Sequence, residues 1–256
     1  MSKVIFTAGD RLGSPPSGPR VLIYHQVGAG LGRQMEVTLE DFTRQLDWLA
    51  ENREVVDLTT AISRWADPGS EQLVVLTFDD GYRDTFEVAF PLLEERGCQF
   101  TLYLASEPVE NSTSNSSDVA PALTWAQVIT MVDSGLVTIG AHTHSHADLR
   151  WLSTDEIEAE LETSDSLIEA RVGIHPAHFA YPWGYWSEEA EPLVKARYQS
   201  AVLGGSPNPP PVPDVHRIHR YPVQLSDSFT FFRSRLFGGL RMEEKLRRRL
   251  RGYSGP

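Results

Sequence analysis

The sequence contains a single cysteine, Cys98, so neither an intrachain disulfide nor a multi-thiolate zinc centre can form. Cys98 follows Gly97 at the start of an apolar run and reads as a core thiol rather than a nucleophile. Cationic residues are also scarce: 23 Lys and Arg stand against 35 Asp and Glu, a formal net charge of -12. That balance disfavours broad nucleic-acid binding, because phosphate contacts need a surplus of Lys and Arg on the binding face. No apolar run approaches a transmembrane span, and the opening MSKVIFTAGDRLGSPPSGPR lacks the apolar stretch of a signal peptide. These absences lead to the expectation of a cytoplasmic protein.

What is present is ordinary globular composition: 256 residues, 41% hydrophobic and 23% charged, suited to one large domain. Strand-like runs at 21–25, 54–57, 73–78, 99–105, 137–141, 178–181 and 199–203 alternate with helical patterns. Their hydrophobicity is continuous rather than alternating, as in parallel strands buried on both faces. Helix starts are signalled by Thr38 with Asp41, Thr124 with Gln127 and Ser153 with Glu156. About seven βα units predict a single-domain α/β barrel of parallel strands. It spans 21–236, with an N-terminal extension over 1–20 and a basic tail over 237–256. There is no internal repeat. Residues 106–122 and 204–214 read as loops, and the first, following a strand end, is expected to form a mobile wall of a site. Its sequons at Asn111 and Asn115 carry no meaning in a cytoplasmic protein.

The run VVLTFDDGYRD, residues 74–84, carries an apolar strand straight into two adjacent carboxylates, Asp79 and Asp80. Such a pair at a strand tip calls for a cation. A second strand, VTIGA, leads into HTHSH, where His142 and His146 are four apart. One helical turn would bring their imidazoles to one side and leave His144 pointing elsewhere. Two imidazoles and one carboxylate make a three-ligand metal site with positions left for water and substrate. Without thiolates zinc is favoured, while cobalt, nickel and manganese accept the same donors. A third strand ends in FAYPWGYWS, residues 179–187, where Pro182 and Gly184 break the chain so that amides near Trp183 can face a ligand.

TFDDG, the spaced histidines of HTHSH and the PWG turn together resemble the motifs of the polysaccharide deacetylases, carbohydrate esterase family 4, over residues 21 to 225. The resemblance implies a distorted (β/α) barrel and a metal-dependent hydrolase of the N-acetyl amide of an N-acetylated sugar. It implies Asp79 as general base, Asp80, His142 and His146 on the metal, and Trp183 as donor of a backbone N–H to the oxyanion. VLIYHQV is similar to the opening of the branch that acts on poly-N-acetylglucosamine, which implies His25 as general acid. His216 and His219 are its rivals, since other branches take the acid from a late motif. The sequence departs from the wider family upstream of PWG, where Phe179 and Ala180 stand in place of an arginine that pairs with the base. Arg220, in RIHRYPV, is the substitute expected.

Against the acidic trend, GGLRMEEKLRRRLRGY at 238–253 is basic, with Met242, Leu246 and Leu250 at helical spacing. It reads either as a terminal helix packed on the barrel or as a peripheral contact with an anionic membrane. Two other functional readings stand beside the deacetylase. One is hydrolysis of another C–N bond, such as a cyclic ureide, and the other is a non-catalytic sugar-binding module. The module predicts loss of at least one of Asp79, Asp80, His142 or His146, and all four are present.

Overall fold

The computed structural model describes residues 18–113, 120–205 and 212–237. Its strands are β1 (Arg20–Tyr24), β2 (Gln26–Val27), β3 (Glu36–Val37), β4 (Glu54–Val55), β5 (Leu73–Phe78), β6 (Phe100–Leu104), β7 (Val137–Ala141), β8 (His178–Ala180), β9 (Ser200–Leu203), β10 (Ile218–His219) and β11 (Tyr221–Pro222). The helices are α1 (Leu39–Asn52), α2 (Leu58–Ser63), α3 (Phe90–Glu95), α4 (Ser106–Glu110), α5 (Trp125–Asp133), α6 (Thr154–Val172), α7 (Glu191–Arg197) and α8 (Phe229–Leu236). The main sheet runs β10-β9-β8-β7-β6-β5-β1-β11, with every pairing parallel. Its two end strands belong to one segment, 218–222, which pairs β9 on one side and β1 on the other. That segment curls the sheet into a distorted barrel.

The seventh stave is therefore RIHRYPV, which the apolar pattern does not single out. The stretch 54–57 supplies only the two-residue β4, attached at the foot of β5. The remaining six predicted runs are the staves, and their burial explains their pattern: every residue of β5, LVVLTF, is buried. Val21, Leu73, Val75, Tyr103, Ala180, Val202 and Ile218 form the cluster inside the barrel, joined at the foot by Leu58, Ala61 and Trp65 on and beside α2. The alternate residues, such as Leu22, Leu76, Phe78, Leu102 and Ile139, pack outward against the helices. Helix entry follows the predicted chemistry: Thr38 accepts from the Asp41 amide, and Thr124 with Gln127 and Ser153 with Glu156 close reciprocal capping boxes.

Part of the predicted 106–122 loop is helical, because Ser106–Glu110 turns directly out of β6 as α4. Residues 114–119 of that stretch lie outside the described residues, as do 206–211 and the basic 238–253 segment. Among the described residues no helix is long and apolar enough to cross a membrane.

Candidate active site

Side chains alternate along a strand, so two adjacent aspartates continuing β5 would point to opposite faces. Asp79 follows the inward register of Val75 and Thr77. Asp80 then adopts a left-handed φ of 72°, and this turn brings it to the mouth beside its neighbour instead of outward toward the helices. The Asp79 amide donates to the Tyr24 carbonyl at 3.0 Å, which ties the β5 tip to the end of β1 next to His25.

Arg220 enters from the closing segment between β10 and β11. Its Nη1 and Nη2 each lie 2.7 Å from an oxygen of Asp79, and Nη1 also donates to Thr77 Oγ1 at 3.0 Å. The guanidinium lies over the Tyr103 ring, 5.2 Å from its centroid. Tyr103 in turn requires a glycine at 140, because a Cβ there would sit 2.4 Å from the ring. Burial pushes the Asp79 carboxyl up, but Arg220, then His142 and His25, hold it below the usual carboxylate range.

His142 and His146 do converge, with ring centroids 4.9 Å apart, but not through a helical turn. Residues 142–148 are irregular, and Thr143 (φ 63°) and His146 (φ 61°) are left-handed. The reason lies in α6: one Glu160 oxygen accepts from the amides of His144 and Ser145, at 3.0 and 2.8 Å, and folds the loop around itself. His144 is turned away, its Nδ1 2.9 Å from Ser106 Oγ.

The three donors fit a cation. Asp80 Oδ1 is 3.4 Å from His142 Nε2 and 3.3 Å from His146 Nε2. Ligands held at about 2.1 Å in a tetrahedron stand about 3.4 Å apart. His142 Nδ1 donates to the Ala180 carbonyl at 2.7 Å, which leaves Nε2 as the lone-pair atom. Among the described residues Asp80 Oδ1 is buried with no hydrogen-bond partner at ordinary geometry, so acceptors converge where a positive charge relieves them. The protein's own charges register the same demand. Burial opposes ionisation of Asp80, yet the His142 contact and the fields of His25, His142 and His146 hold it well below its ordinary range. Burial and His142 push His146 down, whereas His142 itself is raised, burial notwithstanding, by Asp80 and Asp79.

His25, at the tip of β1, is partly buried and acts electrostatically on Asp79, Asp80 and His146. Among the described residues its Nδ1 has no hydrogen-bond partner. Its rivals lie at opposite ends of the barrel, with His219 paired to Leu203 at the mouth end of β9 and next to Arg220. His216 lies 2.9 Å from the Tyr198 carbonyl, ahead of β9 and therefore at the foot of the barrel, while His219 Nδ1 is 3.0 Å from the Gly205 carbonyl. Trp183 has φ 62°, and Gly184 follows at φ 73° with its backbone packed so tightly on Gly204 that a Cβ would meet it at 2.6 Å. The Trp183 ring lies 5.1 Å from that of His146, and among the described residues no acceptor takes the Trp183 N–H.

Sequence reasoning passed over four residues that build this site. Thr77 and Tyr103 seat Arg220, and Glu160 shapes the histidine loop. Asp84 accepts from the Val27 amide at 3.2 Å and the Gln26 side chain at 3.4 Å, just beyond His25, and burial pushes its carboxyl up to about 7. Only the inward register of Thr77 and Tyr103 was available as a signal.

A family model described as polysaccharide deacetylase matches residues 66–200. The Bacillus subtilis (strain 168) protein YxkH, assigned to the polysaccharide deacetylases, is 24% identical over 222 residues, 84% of this chain and 75% of its own length. Among solved structures, the Streptococcus pyogenes deacetylase PplD in complex with acetate superposes with a TM-score of 0.73 at 20% identity, covering 86% of this chain and 98% of that one. IcaB from Ammonifex degensii gives 0.69 at 23% identity over 81% of this chain and 92% of its own. With more than half of its length matched by the family model, this chain belongs to the polysaccharide deacetylase family and is an enzyme of that family, a hydrolase of carbon–nitrogen bonds.

Proposed function

We propose that this enzyme hydrolyses the N-acetyl amide of an N-acetylated sugar in an oligosaccharide, polysaccharide or lipid-linked glycan and releases acetate, with one divalent metal, zinc first among the candidates. The observation that carries this reading is a buried carboxylate, Asp79, held on both oxygens by Arg220 directly beside the three-donor group of Asp80, His142 and His146.

Asp80, His142 and His146 would hold the metal, which when bound supplies Lewis-acid polarisation of the acetyl carbonyl and acidifies water. Asp79 stays ionised under the Arg220 charge, and each of its oxygens keeps a lone pair beyond the one Arg220 uses, so it accepts a proton from the attacking water. The Trp183 N–H, turned by its left-handed φ, donates to the oxygen that becomes negative as the carbonyl carbon turns tetrahedral. His25 gives its proton to the sugar nitrogen as the C–N bond breaks, which converts a poor amide-ion leaving group into a neutral amine. The position of His25 at the end of the first strand supports the branch that acts on poly-N-acetylglucosamine. The test is acetate release over a panel of N-acetylated mono-, oligo- and lipid-linked sugars. No release from any of them, with turnover of a cyclic ureide instead, would replace this reading.

The basic stretch from Arg241 to Arg251 supports a second proposal, that the enzyme docks on an anionic membrane and meets its glycan there. Each Lys or Arg near such a surface contributes about 1 kcal/mol, and salt weakens the attraction. Co-sedimentation with anionic and neutral vesicles, for the full chain and one ending at Gly239, tests it. Equal disregard of anionic vesicles by both chains would remove the membrane from the account.

A further inference from the structure

Of the six tryptophans, only Trp183 and Trp151 are exposed, and Trp151 is the barer, at 81%. Both stand on loops that leave the C-terminal ends of adjacent paired strands, β7 and β8, and so share the mouth of the barrel. A ring of that size left in water contributes little to folding, so its place on a built ledge calls for another explanation.

The ledge is fixed from beneath. Leu149 is buried and its carbonyl accepts from Ser187 Oγ at 3.3 Å, which ties the histidine loop to the loop after PWG. Thr154 donates to Glu189 and adds a second tie. Asp148 grips Arg150 at 2.6 and 2.9 Å and also accepts from the Trp151 side chain. The Arg150 guanidinium lies 3.7 Å from the centroid of the Tyr185 ring and 5.9 Å from that of Trp151. Contact therefore runs without a break from the metal-ligand candidate His146 to Trp183, along the turn to Tyr185, through Arg150 and out to Trp151.

We propose that Trp151, with Tyr185 and Arg150, is an outer subsite that binds a pyranose ring of the glycan beyond the sugar being deacetylated. The chemistry fits this occupant. A pyranose offers a face of polarised C–H bonds to an aromatic π-surface, while its rim of hydroxyl and acetamide groups meets fixed ionic hydrogen-bonding partners. Asp148 and Arg150 provide such partners at the ring edge. Because they are ordered by each other, little entropy is lost when a sugar settles on them. The placement makes the enzyme sensitive to chain length, as contact from the metal-ligand group reaches Trp151 only through Trp183, Tyr185 and Arg150 in turn.

This subsite rests on the deacetylase reading, and the experiment separates the two. Acetate release is measured for wild type, Trp151→Ala and Trp151→Phe on N-acetylglucosamine and its oligomers of increasing length, with melting temperatures in parallel. The expected result is that Trp151→Ala lowers kcat/KM for the longer oligomers about tenfold more than for the monosaccharide, mainly through KM, as loss of one stacking contact does. Trp151→Phe should recover part of it, and melting temperatures should stay together. An equal effect at every length with an active wild type overturns the subsite and leaves the deacetylase standing. A concentration-dependent oligomer that Trp151→Ala abolishes, without any length effect, makes the ledge a protein contact instead. A wild type inactive on all these sugars removes the deacetylase reading and the subsite together.

Discussion

Arg220 and Asp79 are joined by two parallel hydrogen bonds of 2.7 Å with both side chains almost wholly out of water, across 141 residues of sequence. The arginine comes from the segment that closes the barrel, so the same residue completes the fold and fixes the proposed base. Breaking a buried pair leaves one charge uncompensated, at about 3–5 kcal/mol. Arg220→Met should therefore cost stability in that range and most of the activity, whereas Arg220→Lys keeps the charge and loses the fork. Adding Asp79→Asn to Arg220→Met should restore part of the stability in urea unfolding. Strictly additive losses would mean that the two residues act independently.

The metal assignment predicts about one divalent ion per chain by elemental analysis, with loss in His142→Ala and His146→Ala. His144→Ala should keep it, since that ring faces Ser106. Asp79→Asn should also keep the ion yet lower turnover by about two to four orders of magnitude, the effect of losing a general base. Full metal content in both His142→Ala and His146→Ala would discard the site.

The proposed acid can be isolated by its leaving group. An activated ester needs no proton on departure, so His25→Ala should fail on the amide and recover on the ester. His216→Ala should show no such selectivity, its ring being bound at the foot of the barrel. Ester rescue confined to the His219 variant would move the acid to the closing segment.

His178 predicts an acid-sensitive fold. Its ring is buried between Ser200 Oγ at 2.8 Å and Thr59 Oγ1 at 3.0 Å, and burial pushes its pKa down to about 4, against a small opposing pull from Asp57. The unfolded chain takes up the proton near pH 6.5, where the folded one does not, so stability falls as pH drops from about 6.5 to 4 and levels off below. The loss is about 3 kcal/mol at most. His178→Gln cannot titrate, and its urea midpoint should decline less than that of wild type over this window. Parallel declines would refute the assignment.

Much of the architecture was legible in the sequence. Staves buried on both faces must be apolar throughout, and helix ends must satisfy their amides, so LVVLTF and the Thr124–Gln127 box declare themselves locally. The three donor residues could be read too, because their chemistry is unusual at strand ends. Three things depended on distant contacts. The closing stave is too short and too polar to look like one, since its pairing partners β1 and β9 specify it. The histidine loop is not the helical turn its spacing allows, because Glu160, far along the chain, captures its amides. Most of all, adjacency in sequence could not say which partner each aspartate meets. Strand alternation sends Asp79 inward to Arg220, and a left-handed turn at Asp80 carries the second carboxylate to the imidazoles, so their different partners are set by backbone geometry at a tip assembled from four strands and the closing segment.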